Sequence, residues 1–205
     1  MTNRKTWTPS DVVDVSGPPA LLRNYLEQRD VRAYLQEAAA RHPVHRAYDV
    51  GCGFGRLTPV LFEVAAEVVG FEREAALVET ARRLVPDLRF EHVSTLEHLP
   101  SPDASADFVL TFTVLQHMPD ARAEAVLTEV LRVLVPRGHL LLVEETDETL
   151  EAGDPANADH GYTRGRAVSW YADRVRPSSL LATSPRRIEP GYPRSDVGSY
   201  MLFQK

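Results

Sequence analysis

The stretch Ala47-Tyr-Asp-Val-Gly51-Cys-Gly53-Phe-Gly55-Arg-Leu57 limits what this chain can fold into more than any other. An apolar run gives way to three alternate glycines, and these give way to a helical pattern over Leu57 to Ala66. Strand, tight turn and helix in that order let backbone approach a bound group where side chains would clash. The surrounding chain alternates in the same way. Short apolar runs at Ala47 to Val50, Glu67 to Phe71, Leu88 to His92, Asp107 to Phe112 and His139 to Val143 are each followed by a helical pattern. Five such strands with helices between them predict an α/β fold, a parallel sheet covered on both faces. The clearest helix is Asp120 to Leu134, whose Ala123, Val126, Leu127, Val130, Leu131 and Leu134 form one stripe between Pro119 and a stop at Pro136 and Gly138.

A length of 205 residues accommodates one domain with a terminal extension or lid. No apolar run approaches the roughly 18 residues of a membrane helix. The opening residues Met1 to Ser10 lack the apolar stretch of a signal peptide, so a cytoplasmic protein is expected, with no membrane partner. The single cysteine, Cys52, has no internal disulfide partner, and no Cys/His cluster has zinc-ligand spacing, so no metal is expected. The net charge of −6 divides unevenly: residues 161–205 carry +5 and the first 160 carry −11. An acidic whole argues against a nucleic-acid partner, while the basic end keeps an anionic substrate in play.

Ahead of the first strand, residues 20–41 place Leu22, Tyr25, Leu26, Val31, Tyr34, Leu35 and Ala38 at helical spacing, read as two helices meeting near Arg29 and Asp30. Past the fifth strand, residues 144–160 hold seven acidic residues and no Lys or Arg, which predicts a solvated loop or lid. A helix over Arg166 to Leu181 follows, and two strand-like runs, Arg186 to Tyr192 and Tyr200 to Phe203, predict a hairpin on the sheet edge.

Seventeen residues beyond Gly55, Glu72 ends the second strand, where its carboxylate can accept both hydrogen bonds of a ribose diol. A dinucleotide site would need Gly-x-Gly-x-x-Gly, and Arg56 breaks that spacing. Asp49, on the strand just before the first glycine, suits an amino group better than a phosphate. The pattern favours a ligand with an adenosine end and an amino-acid end.

With these residues in place the sequence resembles the class I S-adenosylmethionine-dependent methyltransferases over roughly residues 45–145. Tyr48 to Gly55 is similar to the family's first motif, Gly70-Phe-Glu72 to its second and Asp107-Phe-Val-Leu-Thr-Phe112 to its fourth. Val114-Leu-Gln-His-Met-Pro119 and Glu129 to Gly138 resemble small family members. The resemblance implies a Rossmann-like, doubly wound, seven-stranded sheet, mostly parallel with an antiparallel last strand. It also implies S-adenosylmethionine as cofactor and S-adenosylhomocysteine as product. Carried over by position, Asp49, Gly51 and Gly53 would hold the methionine end, Glu72 the ribose, and Arg73, Thr95 and Leu96 the adenine, with Cys52 a small filler within the cofactor-binding loop. Thr95 stands where the family usually has an aspartate. Thr111, Phe112 and Thr113 would line the crevice at the carboxyl end of the fourth strand, with His117 just past it a further candidate cofactor contact, and Phe54 is either core or a cofactor contact. The chain then divides into a helical cap (1–45), a cofactor core (46–145), a lid and helix (146–185) and a terminal hairpin (186–205).

Methyl transfer from a sulfonium is an in-line displacement, governed by alignment and water exclusion, with a general base optional. The catalytic candidates are His117, His160, Tyr162 and the Glu144/Glu145 pair, with the two histidines first among them. His117 either touches cofactor or acceptor or packs at a helix start. Quinone O-methyltransferases carry Glu-x-x-Glu-His where this chain has Thr113-Val-Leu-Gln116-His117, so the oxygen ligands that magnesium prefers are missing. Tyr162 and Arg164 are candidate substrate contacts, Arg164 either gripping an acceptor carboxylate or phosphate or pairing with the acidic loop. The expectation is methyl transfer to a small-molecule O, N or C acceptor; the alternative is a silent cofactor-binding homologue or partner subunit.

Overall fold

The computed structural model describes residues 18–156, 161–187 and 196–205. A long helix α1 (Pro18–Arg41) precedes β1 (Arg46–Val50), α2 (Thr58–Phe62), β2 (Glu67–Glu72), α3 (Ala75–Leu84), β3 (Arg89–His92) and β4 (Ala106–Phe112). After a 3-10 turn (Leu115–His117) come α4 (Asp120–Val133), β5 (Leu134–Glu144), a short ribbon of β6 (Glu151–Ala152) and β7 (Thr163–Arg164), then α5 (Val168–Arg174), β8 (Ser179–Arg187) and β9 (Asp196–Gln204).

Seven strands form one sheet in the order β3-β2-β1-β4-β5-β9-β8, with β9 antiparallel to both neighbours and β3 through β5 parallel. This is the expected Rossmann-like architecture with its last strand reversed. Successive strand side chains point to opposite faces, and that parity divides the core in two. Tyr48, Val50, Val109, Leu140, Leu142, Met201 and Phe203 pack under α4 and α5. Ala47, Phe108, Leu110, Leu141, Val143, Tyr200 and Leu202 pack under α1 and α2. The stripe on α4 buries Ala123, Val126, Leu127, Val130 and Val133, while Val31, Leu35 and Ala38 are the buried face of α1.

Several elements depart from the sequence reading. α1 runs unbroken through Arg29 and Asp30, which pair with each other on its exposed side, so the two charges decorate one helix and do not divide it. The helix predicted to reach Leu181 stops at Arg174, because Pro177 lacks the N–H that a continuing helix requires. Ser179 to Leu181 instead begin β8, and the hairpin arms are Ser179–Arg187 and Asp196–Gln204, while residues 188–192 of the predicted arm Arg186 to Tyr192 lie outside the described residues. Glu144 and Glu145 are buried, not solvated. Among the described residues no helix is long and apolar enough to cross a membrane.

His139, at the start of the paired part of β5, is fully buried with neither ring nitrogen hydrogen bonded. Burial pushes its pKa down to about 4, helped by the charges of His42 and Arg41. The unfolded chain protonates this imidazole near pH 6.5 and the folded chain does not, so its contribution to stability is intact above 6.5 and is lost as pH falls toward 4. The slope should approach about 1.4 kcal/mol per pH unit across that window. Urea unfolding of wild type and His139→Phe at pH 7, 5.5 and 4.5 should show a shallower decline in the variant; parallel curves would refute the assignment.

Candidate functional site

The glycine loop leaves β1 at the carboxyl edge of the sheet and is shaped by its neighbours. The carbonyl oxygen of Phe71 accepts the N–H groups of both Gly51 (2.8 Å) and Cys52 (3.1 Å), and the Gly55 N–H reaches the Cys52 carbonyl (3.0 Å). The Gly53 N–H donates to Glu72 Oε2 at 2.9 Å. Gly51 sits at φ +77°, and a Cβ there would lie 2.5 Å from Val114 Cγ2. At Gly55 a Cβ would lie 2.8 Å from the Phe90 ring. The glycines therefore serve close packing of the loop against β2, β3 and the segment after β4, with these four amides turned inward. The Cys52 thiol packs with Val78, Ala81, Leu88 and Phe90 beneath the loop, where burial pushes its pKa well up. It is a filler, not a nucleophile.

Two carboxylates close this end of the crevice. Glu72 Oε1 accepts from the Arg73 (2.7 Å) and Glu74 (2.8 Å) N–H groups, completing a set of three backbone donors with Gly53. Asp49 Oδ2 accepts from the Thr58 hydroxyl at 2.7 Å. Burial raises the pKa of both. Asp49 reaches about 6, with the nearby Glu72 charge adding to burial while Thr58 and Arg56 oppose it. By strand parity both carboxylates lie on the α1 face.

Above them α1 is pinned by ion pairs that the sequence reading did not anticipate. Glu27 contacts Arg56 Nη1 at 2.7 Å and Arg186 Nη2 at 2.6 Å, with Arg23 one helical turn away at 2.9 Å. Burial works against ionisation of Glu27, but the guanidiniums of Arg186, Arg56 and Arg23 hold its pKa down at about 2. Arg56 and Arg186 also lie against the Phe112 ring, 5.1 Å and 4.8 Å from its centroid. In the sequence Arg56 only breaks the dinucleotide spacing, and residues 159 apart, as Glu27 and Arg186 are, give no local signal of pairing.

The opposite edge is the segment from Thr113 to Met118, and here the structure redistributes the expected roles. Thr111 is buried and donates to Glu144 Oε1 at 3.0 Å, so it supports the edge from below and does not line the crevice. His117 Nδ1 lies 2.9 Å from the Tyr162 carbonyl oxygen and 3.2 Å from Thr163 Oγ1. Tyr162 is buried and its hydroxyl donates to Glu151 Oε1 at 3.0 Å, which makes it a clasp for the β6–β7 ribbon, in contrast to the expected substrate contact. Arg164 pairs with Asp120 at the start of α4 (3.4 Å), and it stands opposite Glu151 of the acidic stretch in the β6–β7 ribbon, whose charge also attracts it. Arg73 is near Glu74 at 3.5 Å, Thr95 Oγ1 accepts from the Glu97 N–H at 3.2 Å, and the Leu96 side chain belongs to the core. His160 lies outside the described residues. Among the described residues no cluster of three or more His, Cys, Asp and Glu is placed to hold a metal ion.

A methyltransferase-domain family profile matches residues 48–142. A probable S-adenosylmethionine-dependent methyltransferase of Mycolicibacterium smegmatis is 34% identical over 139 residues, covering 67% of this chain and 52% of the relative. A trans-aconitate 2-methyltransferase of Methylobacterium radiotolerans is 31% identical over 178 residues, covering 84% of this chain and 64% of the relative. The chain thus spans between half and two thirds of the length of these relatives. A solved structure of a S-adenosylmethionine-dependent methyltransferase from Leishmania major superposes with a TM-score of 0.76 at 17% identity, over 98% of this chain and 79% of that one, a likeness of fold.

Because Gly51 combines a left-handed backbone with contact to Val114, Gly51→Ala should destabilise by about 1–3 kcal/mol from the backbone alone, with overpacking added. Urea denaturation of Gly51→Ala and of Gly51→Ala/Val114→Ala should show the second change recovering only the overpacking part. Full recovery would mean that the backbone is unstrained by a side chain.

Proposed function

The chain belongs to the class I S-adenosylmethionine-dependent methyltransferases, and from that premise we propose that it transfers a methyl group from S-adenosylmethionine to a small-molecule acceptor. The observation that carries the reading is the pair of buried carboxylates, Asp49 and Glu72, on one side of the glycine loop. Their raised pKa values mark a place where negative charge is short of compensation, and a cationic ligand supplies it. An amino-acid ammonium suits Asp49, and a ribose diol suits the acceptor-only carboxylate of Glu72.

When bound, S-adenosylmethionine supplies an electrophilic methyl group on a sulfonium. The residues around it orient and shield. Glu27, Arg56 and Arg186 hold α1 down beside Phe112, which keeps water from the crevice. His117 is the candidate base for an O or N acceptor: with Nδ1 donating to the Tyr162 carbonyl, the neutral ring presents Nε2 as its acceptor. A cap formed by one helix and a two-stranded ribbon suits a small acceptor, and relatives named for trans-aconitate methylation put carboxylic acids first among acceptors to try.

Calorimetry should detect binding of S-adenosylmethionine and S-adenosylhomocysteine, weakened at least about tenfold by Glu72→Ala, in line with loss of a charge-assisted hydrogen-bond pair. Since Asp49 is neutral below about pH 6 and ionised above it, cofactor affinity should rise with pH through 6 and be about tenfold weaker at pH 5 than at pH 7. Asp49→Asn should flatten that dependence. Absence of binding heat in wild type would end the reading.

Mass spectrometry with methyl-labelled cofactor and a panel of mono-, di- and tricarboxylates, trans-aconitate included, then tests the acceptor class. Cofactor binding without label transfer, there or in a small-molecule extract, would favour the silent homologue.

A further inference from the structure

The segment Thr113 to Met118 has little regular structure to hold it. Thr113 is in the left-handed region at φ +54°, and only one 3-10 turn follows before α4. Its backbone polar groups are nevertheless held from two sides by two buried charges. From β5, Glu144 accepts the N–H groups of Val114 (3.2 Å) and Gln116 (3.1 Å) and the Thr111 hydroxyl (3.0 Å). From the stretch after β7, Arg166 donates to the carbonyls of Leu115 and Met118 and anchors its Nε on Asp120 at 2.9 Å. A carboxylate takes two of the segment's donors and a guanidinium takes two of its acceptors. Both are almost entirely buried, 0% and 2% exposed, where an unsupported charge would cost several kcal/mol.

The same framework fixes the imidazole of His117. The Glu145 N–H donates to Gln116 Oε1 at 3.0 Å, so the Gln116 amide must turn its NH₂ the other way. That NH₂ lies 3.4 Å from His117 Nε2, which therefore acts as the acceptor nitrogen. On the other side of the ring the Tyr162 carbonyl requires a proton on Nδ1. Two neighbours on separate elements specify the same tautomer, and both depend on where Glu144 and Arg166 hold the backbone.

We propose that Glu144 and Arg166 are positioning residues that act through the Thr113–Met118 backbone to hold His117 in its Nδ1–H tautomer, with Nε2 turned to receive a proton. This rests on the methyl-transfer reading only for the use made of Nε2. An acceptor proton arriving there replaces the long Gln116 contact, and a ring in the other tautomer has no lone pair to offer it.

Long-range ¹H–¹⁵N spectra of the full chain, with His117 assigned by a His117→Gln variant, read the tautomer directly. Wild type should show Nδ1–H. Glu144→Gln, which places an amide NH₂ among N–H donors, and Arg166→Met should both move the ring toward the mixture seen for free histidine, with Nε2–H dominant. Arg166→Lys should fall between them and wild type, since one ammonium cannot span two carbonyls as the guanidinium fork does. Leu35→Ala, a core lesion under α1, should lower stability and leave the tautomer unchanged. An unaltered His117 signal in Glu144→Gln and Arg166→Met, or an equal shift in Leu35→Ala, overturns the proposal. If Glu144→Gln does not fold, the Arg166 pair decides. S-adenosylhomocysteine calorimetry on the same samples separates the two readings: its affinity should stay within threefold of wild type in the Arg166 variants. No binding in wild type would end the methyl-transfer reading while leaving the tautomer result to stand or fall alone.

Discussion

Two loops at the carboxyl edge of the sheet take their shape from buried carboxylates that collect backbone amide protons. Glu72 gathers three, and Glu144 gathers two with a threonine hydroxyl. Taking a carboxylate out of water costs several kcal/mol, and hydrogen bonds to a charged group return about 1.5–3 kcal/mol each. Such a group is tolerable only when nearly every lone pair is met. The loops around it are consequently confined to the few geometries that meet them, and the crevice between the loops inherits that definition.

Strand parity assigns the two carboxylates to opposite faces and so separates binding from support. Asp49, Glu72 and Phe112 lie on the face covered by α1, where cofactor recognition is proposed. Thr111 and Glu144 continue the alternation of Val109, Leu140 and Leu142 toward α4 and α5, and there they hold the far rim. Neither set can be moved without slipping a strand by one residue, which would send both cores to the wrong faces.

Much of this was legible in the sequence because the signals are local. The strand-to-glycine turn, the stripe on α4 and the acidic residue closing β2 each occupy a dozen residues or fewer, and their outcome follows from backbone sterics and side-chain period. Strand alternation alone also turns Thr111 away from the crevice, since Leu110 and Phe112 share the face that Thr111 avoids. What sequence did not disclose is pairing at long range. Glu27 with Arg186, and Arg166 with the carbonyls of Leu115 and Met118, join segments whose proximity exists only once the sheet is assembled. The burial of Glu144 ran against composition, because a run of acidic residues reads as solvated unless the partner N–H groups are already known.

The ion pair of Glu27 with Arg186 also bears on the order in which this molecule comes together. It links α1 to β8 across 159 residues, and Tyr34 adds a second tie to the same strand through Ser184 at 2.8 Å. Synthesis proceeds from the N-terminus, so α1 emerges long before these two partners on β8 exist. Closing so long a loop is entropically expensive until the sheet has brought the ends together. The clasp on β8 is thus the last part of the cap to form: β1, β4 and α2 already offer α1 an apolar seat, but β8 must pair with β9, and β9 with β5, before Arg186 and Ser184 can reach it.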